Sequence, residues 1–298
     1  MLQRNNDIAI IGVPFRSGCN REGAQHAPKW LIDNIPMHKD VCYMMQFFSE
    51  NIPLTDSQTN GIKNYNAVCQ MKRELRAGVN EAITNKKKVV TIGGDHSIAI
   101  GSIAGVLQTY PGLGVIWFDA HTDINTESSS PSGNVHGMPL AALMGLCKSA
   151  INVNEHRLNP QNIFWIGARD IDEGEWEIIR SLSIEDHVYT SEMVHKHGMN
   201  NIMAEVREKL CKNGVRYLHL SFDIDGMDPS IVSATGTPVS NGLTDAEYQE
   251  FIKGLEQNMP QLVSMDFVEY NPLMDNKVYA TGGWCVNTLT KLIDIISK

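Results

Sequence analysis

The sequence predicts a single-domain, doubly wound α/β protein with a mainly parallel sheet. Three observations carry this. Short, continuously apolar runs rich in β-branched residues recur along the chain, as expected of strands buried on both faces. Segments with helical apolar spacing alternate with them. No Pro/Gly/Ser linker, composition shift or 20–50-residue repeat divides the 298 residues, of which 42% are hydrophobic and 20% charged.

In order, Ile8 to Val13 reads as the first strand, closed by Gly12 and Pro14. Arg16 to Gly23 reads as a loop, Ala27 to Ile35 as a short helix and Val41 to Phe48 as a second strand. Between Tyr65 and Asn85, Val68, Met71, Leu75, Val79, Ala82 and Ile83 repeat at helical spacing. Lys86-Lys87-Lys88 suits the C-terminal end of that helix dipole. Val89 to Ile92 is a strand that breaks at Gly93-Gly94-Asp95-His96-Ser97, with a helix over Ile98 to Gln108. Val115 to Phe118 is the central strand, and the strand bearing His96 is expected to lie next to it. Thr126 to Gly137 is a polar loop, Met138 to Leu146 a helix, and Asn162 to Gly167 a strand followed by Arg169 to Glu175 and a helix. His187 to Thr190 reads as a short strand and Asn200 to Lys212 as an amphipathic helix, with His195 and His197 in a surface loop between them. Tyr217 to Phe222 is another buried strand, and Thr244-Asp245-Ala246-Glu247 is a capping box opening a helix. Leu262 to Val268 is the last strand and about Thr281 to Ile296 the last helix.

Composition excludes several classes. A net charge of −9 with no basic patch argues against a nucleic-acid partner and is compatible with a cationic substrate. No apolar stretch approaches the roughly 20 residues of a membrane span, and the first apolar segment is too short for a signal peptide. The six cysteines are scattered without a Cys-x-x-Cys pair, so a reduced, cytoplasmic protein is expected.

Ligand-type residues gather at strand ends. Asp119, His121 and Asp123 follow the central strand at i, i+2 and i+4, spacing that lets extended backbone point all three into one space. A solvated acidic loop explains that motif alone equally well. However, His96 ends a second strand, and Asp223 and Asp225 end a third. Four carboxylates and two imidazoles at one sheet edge need two divalent cations to balance them, and such pairs activate water for hydrolysis. Manganese leads on donor type, with zinc, cobalt and nickel open. Gly93-Gly94 is not a phosphate loop, since neither Gly-Lys-[Ser/Thr] nor G-x-G-x-x-G is present. For two-metal phosphoester chemistry, Arg169 is the only basic candidate near the motifs.

Gly-Gly-Asp-His-Ser (93–97), Asp-Ala-His-Thr-Asp-Ile-Asn (119–125), Ser-Gly-Asn-Val-His-Gly (132–137) and Ser-Phe-Asp-Ile-Asp-Gly-Met-Asp-Pro (221–229) resemble the ureohydrolase family, and within it the arginases. The resemblance runs from about Ile8 to the end. It implies the three-layer α/β/α fold of that family, a homotrimer or hexamer, and two manganese ions per chain. It also implies hydrolysis of L-arginine to L-ornithine and urea, by water activated between the metals attacking the guanidinium carbon. One ion would be held by His96, Asp119, Asp123 and Asp223 and the other by Asp119, His121, Asp223 and Asp225, with Asp119 and Asp223 bridging. Asp123 thus counts as catalytic together with His136, which would shuttle a proton, and Glu269, which would pair with the guanidinium. Asn125, Ser132 and Asn134 match positions that receive the α-carboxylate, Asp172 one that meets the α-amino group, and Thr237 one that lines the guanidinium end. Agmatinase, or action on another guanidino compound, is the alternative; the donors Ser130, Ser132 and Asn134 favour a substrate with a carboxylate. The segment Gly18 to Pro28 keeps only part of the family's Gly-Gln-x-x-x-Gly-Val-x-x-Gly-Pro pattern.

Overall fold

The structure, a computed structural model, describes residues 8–36, 44–47, 58–153 and 155–298. Along the chain run β1 (Ile8–Val13), α1 (Ala27–Asn34), β2 (Met44–Phe47), β3 (Gln58–Thr59), β4 (Ile62–Lys63) and α2 (Tyr65–Thr84). They are followed by β5 (Lys88–Gly93), α3 (Ala99–Leu107), β6 (Gly114–Phe118), α4 (Pro139–Met144), β7 (Ile163–Ala168), α5 (Glu173–Ser181) and β8 (Val188–Thr190). The last elements are α6 (Ser191–His197), α7 (Met199–Lys212), β9 (Tyr217–Asp223), α8 (Asp245–Leu255), β10 (Gln261–Val268) and α9 (Ala280–Ser297). Of the strand read over Val41 to Phe48, only β2 lies within the described residues.

Eight strands form one sheet in the order β2-β1-β5-β10-β9-β6-β7-β8, with every neighbouring pair parallel. Alternation within each strand builds the two cores. Ala9 and Ile11, Val89, Val115 and Trp117, and Ile163 and Trp165 face one side, where they pack with Val68 and Leu75 of α2, Ile103 of α3 and Leu140 of α4. Ile8 and Ile10, Val90, Ile116 and Phe118, and Phe164 and Ile166 face the other, against Leu31 of α1, Val206 of α7, Phe251 of α8 and Leu289 of α9. Strands buried on both faces have no polar side to show, hence the continuous apolar runs.

Two expectations are corrected here. The strand bearing His96, β5, does not lie beside β6: β10 and β9 sit between them. Strands consecutive in sequence are neighbours only about two-thirds of the time, and here the last two strands enter the middle of the sheet. His195 and His197 are not in a loop but in α6, which starts where the Thr190 side chain accepts a hydrogen bond from the Met193 N–H. Both remain exposed, and His195 meets Glu247 at 2.7 Å. The capping box at Thr244 and Glu247 opens α8 as expected.

The insertion of β10 and β9 places the C-terminal ends of β5, β10, β9 and β6 side by side, and every ligand-type residue found in the sequence follows one of them. Open parallel sheets gather ligands at this edge.

Candidate metal centre and substrate cleft

The turn after β5 is tight. Gly94 donates its N–H to the Val13 carbonyl, and a Cβ there would lie 1.7 Å from the Phe15 carbonyl oxygen. Only glycine admits that approach. Asp95 then caps the single turn carrying His96, accepting from the backbone N–H and hydroxyl of Ser97 and from the Gly18 N–H. The His96 ring stacks on Trp117 at 4.1 Å between centroids, and its Nε2 meets Ser221 Oγ at 2.8 Å. These contacts aim Nδ1 at Asp119 Oδ2 (3.0 Å), Asp123 Oδ2 (3.1 Å) and Asp223 Oδ2 (3.2 Å).

A second group forms around His121, whose Nδ1 lies 3.2 Å from Asp119 Oδ1 and 3.3 Å from Asp225 Oδ2. Asp119 therefore presents one oxygen to each histidine. His96, Asp119 and Asp223 offer donor atoms within 4.8 Å of one another, and so do Asp119, His121 and Asp225. Asp223 enters the first of these groups only, and Asp123 adds its oxygen beside His96. The carboxylates are held from behind: Trp117 Nε1 donates to Asp119, Thr237 Oγ1 and the Ala120 N–H to Asp225, and the Asp225 N–H to Asp223. Arg169 turns away from the cleft. Its guanidinium donates to the backbone carbonyls of Gly167, Asp225, Gly226, Met227, Val239 and Ser240, so Arg169 is not free to receive a phosphate.

The electrostatics of the cluster call for added positive charge. Burial and Asp119 push Asp123 up to about 6. Burial, Asp225 and Asp119 push Asp223 well above the carboxylate range. Burial alone would lower His96 and His121, but the surrounding carboxylates raise both well above the usual imidazole value. Protons are thus drawn in where cations would otherwise sit. His96 Nδ1 is buried with no hydrogen-bond partner, although three carboxylate oxygens surround it. That is the geometry of a metal ligand, and the mixed oxygen and nitrogen donors suit a divalent transition ion.

Two adjoining cavities lie above the cluster. One, about 140 Å³, is lined by His96, His121, Asp123, Asn125, Ser130, Ser132, His136, Asp172, Glu175, Asp223 and Thr237. The other, about 340 Å³, is lined by Cys19, Asn20, Arg21, Asn134, His136, Gly236, Thr237 and Glu269. His136 and Thr237 border both. Glu269, 2% exposed, accepts from the His96 N–H at 2.8 Å and lies 3.5 Å from His136 Nδ1. Burial would lower His136, but Glu269 raises it. Asp123 (φ 51°) and Glu269 (φ 66°) both occupy left-handed backbone, strain of the kind that collects at functional sites.

All the sequence-selected residues border these cavities or the cluster, but their side chains are not equally free. Asn125 is buried, donating to Asp172 Oδ2 at 2.9 Å and accepting from Ser129 Oγ at 2.8 Å. The Asn134 N–H donates to Ser132 Oγ, which orders the loop tip. Two residues at or just behind the cleft have no role in the sequence analysis: Glu175, which lines the smaller cavity, and Lys63, which bonds Asn134 from behind it. Glu175 accepts from the Asp172 and Ile124 N–H groups, tying α5 to the metal loop, and burial pushes it up to about 7. Its spacing three residues after Asp172 was a visible helix-start signal. Lys63, on β4, has no such signal.

Fold and site together define a three-layer α/β protein with a carboxylate-rich cradle in which two groups of residues could hold a metal ion. The arginase family model matches residues 6–292, and the chain belongs to the arginase family. It is thus a hydrolase acting on guanidino carbon–nitrogen bonds. It is 36% identical to the arginase of Bacillus subtilis, over 96% of this chain and 97% of that one. The arginase of Entamoeba histolytica, solved in complex with L-ornithine, is 34% identical and superposes with a TM-score of 0.87 over 97% of this chain and 98% of that one. The arginase of Bacillus caldovelox superposes at 0.86, covering 98% of each chain at 34% identity.

Proposed function

We propose that this chain, working as one ureohydrolase unit, hydrolyses L-arginine to L-ornithine and urea at two manganese ions. The ions would be held by His96, Asp119, Asp123 and Asp223, and by Asp119, His121, Asp223 and Asp225. The observation that carries this reading is Asp119, whose two oxygens face two separate histidine-centred donor groups. When bound, a pair of divalent ions makes water acidic enough to be a nucleophile near neutral pH.

The protein residues supply the rest. Glu269 pairs with the cationic guanidinium and holds its carbon toward the cluster. His136, with Nδ1 toward Glu269, keeps Nε2 as the atom that hands a proton to the departing amine. Ser132 and Asn134 donate to the substrate carboxylate, with Asn125 close by, and Asp172 accepts from its amino group. Thr237 steadies Asp225 and lines the guanidinium end. Among the described residues no helix is long and apolar enough to cross a membrane, and a cytoplasmic homotrimer or hexamer is part of this reading.

The test is urea release from L-arginine and from agmatine, side by side, on protein stripped of metal and reloaded with manganese. Urea from arginine alone, and only after reloading, is the expected result. Urea from agmatine in preference would overturn the carboxylate contacts while keeping the metal site.

A further inference from the structure

We infer that Lys63 is a specificity-determining residue, a fixed positive charge that selects substrates bearing an α-carboxylate. Its ammonium donates to Asn134 Oδ1 at 3.1 Å, and among the described residues no ion pair engages it. Two consequences follow. The bond occupies Asn134 Oδ1, which leaves the amide nitrogen as the donor that this cavity-lining side chain can offer. It also sets a cation one side chain behind the place where Ser132 and Asn134 meet an anion.

The lysine is held there by more than its own flexible stem. Its backbone N–H donates to the Gly133 carbonyl at 3.1 Å, joining β4 to the Ser132–Asn134 loop. Gly133 sits at φ 69°, and a Cβ there would lie 2.5 Å from the Gly61 carbonyl oxygen, so the two turns are in direct contact. On one side Ile62 is fully buried; on the other, Asn64 Nδ2 donates to the Ser17 carbonyl at 3.0 Å. A half-buried ammonium anchored on both flanks loses little entropy on meeting a carboxylate. The smaller cavity is strongly acidic at its mouth, with Asp172, Glu175 and Asp170, and Arg21 lies in the larger cavity, on an exposed side chain. A cation fixed beside Ser132 and Asn134 offsets the repulsion those acids exert on an α-carboxylate.

This inference rests on the proposed reaction, and the experiment separates the two. Manganese-loaded wild type, K63M and K63R are assayed with L-arginine, and binding of L-ornithine and of putrescine, its decarboxylated counterpart, is measured by calorimetry. For K63M the expected result is a KM for L-arginine raised about fivefold or more, with the loss in KM rather than kcat. L-Ornithine should weaken in parallel, putrescine should not, and K63R should recover most of the difference. Equal weakening of L-ornithine and putrescine, a fall in kcat alone, or an unchanged KM would each overturn the role of Lys63. Absence of urea from arginine with wild type would instead overturn the reaction itself.

Discussion

Two buried clusters of acid and imidazole stand on the same face of the sheet. Four residues before Asp223 on β9, His219 Nε2 lies 3.2 Å from Asp266 Oδ2, and its Nδ1 meets Ser264 Oγ at 2.8 Å. Ser102 of α3 donates to Asp266 at 2.6 Å, and all four residues are almost wholly buried. Residue types match those of the candidate metal centre, and burial does too except at His121, which is 22% exposed. The difference is the balance: one carboxylate to one imidazole with two hydroxyls below, four carboxylates to two imidazoles above. The lower cluster is balanced in charge and acts as a structural tie even though His219 Nε2 and Asp266 Oδ1 lack hydrogen-bond partners, whereas the upper one carries excess negative charge that bound cations or added protons must offset. Excess charge at a strand edge, rather than the mere presence of His and Asp, is what marks the functional cluster.

The widest separation between the two comes from removing one acid in each. D119N should reduce urea release by at least about a hundredfold and lose metal on dialysis, with its circular dichroism unchanged, because Asp119 serves both donor groups. D266A should do the reverse, lowering stability by about 3 kcal/mol in urea denaturation while retaining metal by elemental analysis. If D266A lost metal and kept its stability, the contrast between the clusters would be broken.

Charge crowding can also be read through pH. Glu175 is raised from 4.5 to about 7, so the folded state holds a proton that the unfolded state has released. Its contribution is fully present below about pH 4.5 and is lost as pH rises through about 7. Metal-free protein should therefore lose up to about 3 kcal/mol across that window, and E175A should flatten the slope when melting is followed at each pH. A slope unaltered by E175A would assign the effect to the aspartates instead.

Smaller effects sharpen the boundary of the site. S221A removes the partner of His96 Nε2, and metal affinity in a competition titration should fall about 10- to 100-fold. H195A, breaking an exposed contact with Glu247, should cost less than about 1 kcal/mol and leave urea release alone.

Much of this was legible because strand ends carry their chemistry locally. A strand buried on both faces must be apolar throughout, so Val115 to Phe118 and Tyr217 to Phe222 announce where the polar residues after them will stand. Asp172 entered through the family resemblance and Glu175 went unassigned, although their spacing marks a helix start; the second role of Glu175 toward Ile124 has no local signal. His195 and His197 read as a loop because a helix this short has only Val194 and the Thr190 cap to declare it.

The sequence alone determined the alternation of strands and helices, the family and the identity of the metal-ligand candidates, since period, apolar content and motif are properties of neighbouring residues. Tertiary structure decided the rest. Only the sheet order shows that β10 and β9 enter between β5 and β6, bringing Glu269 to His96 across 173 positions of chain. Only the packing of two turns brings Lys63 to Asn134 across 71. Contacts of that span follow from how whole layers pack, and no local pattern of residues encodes them.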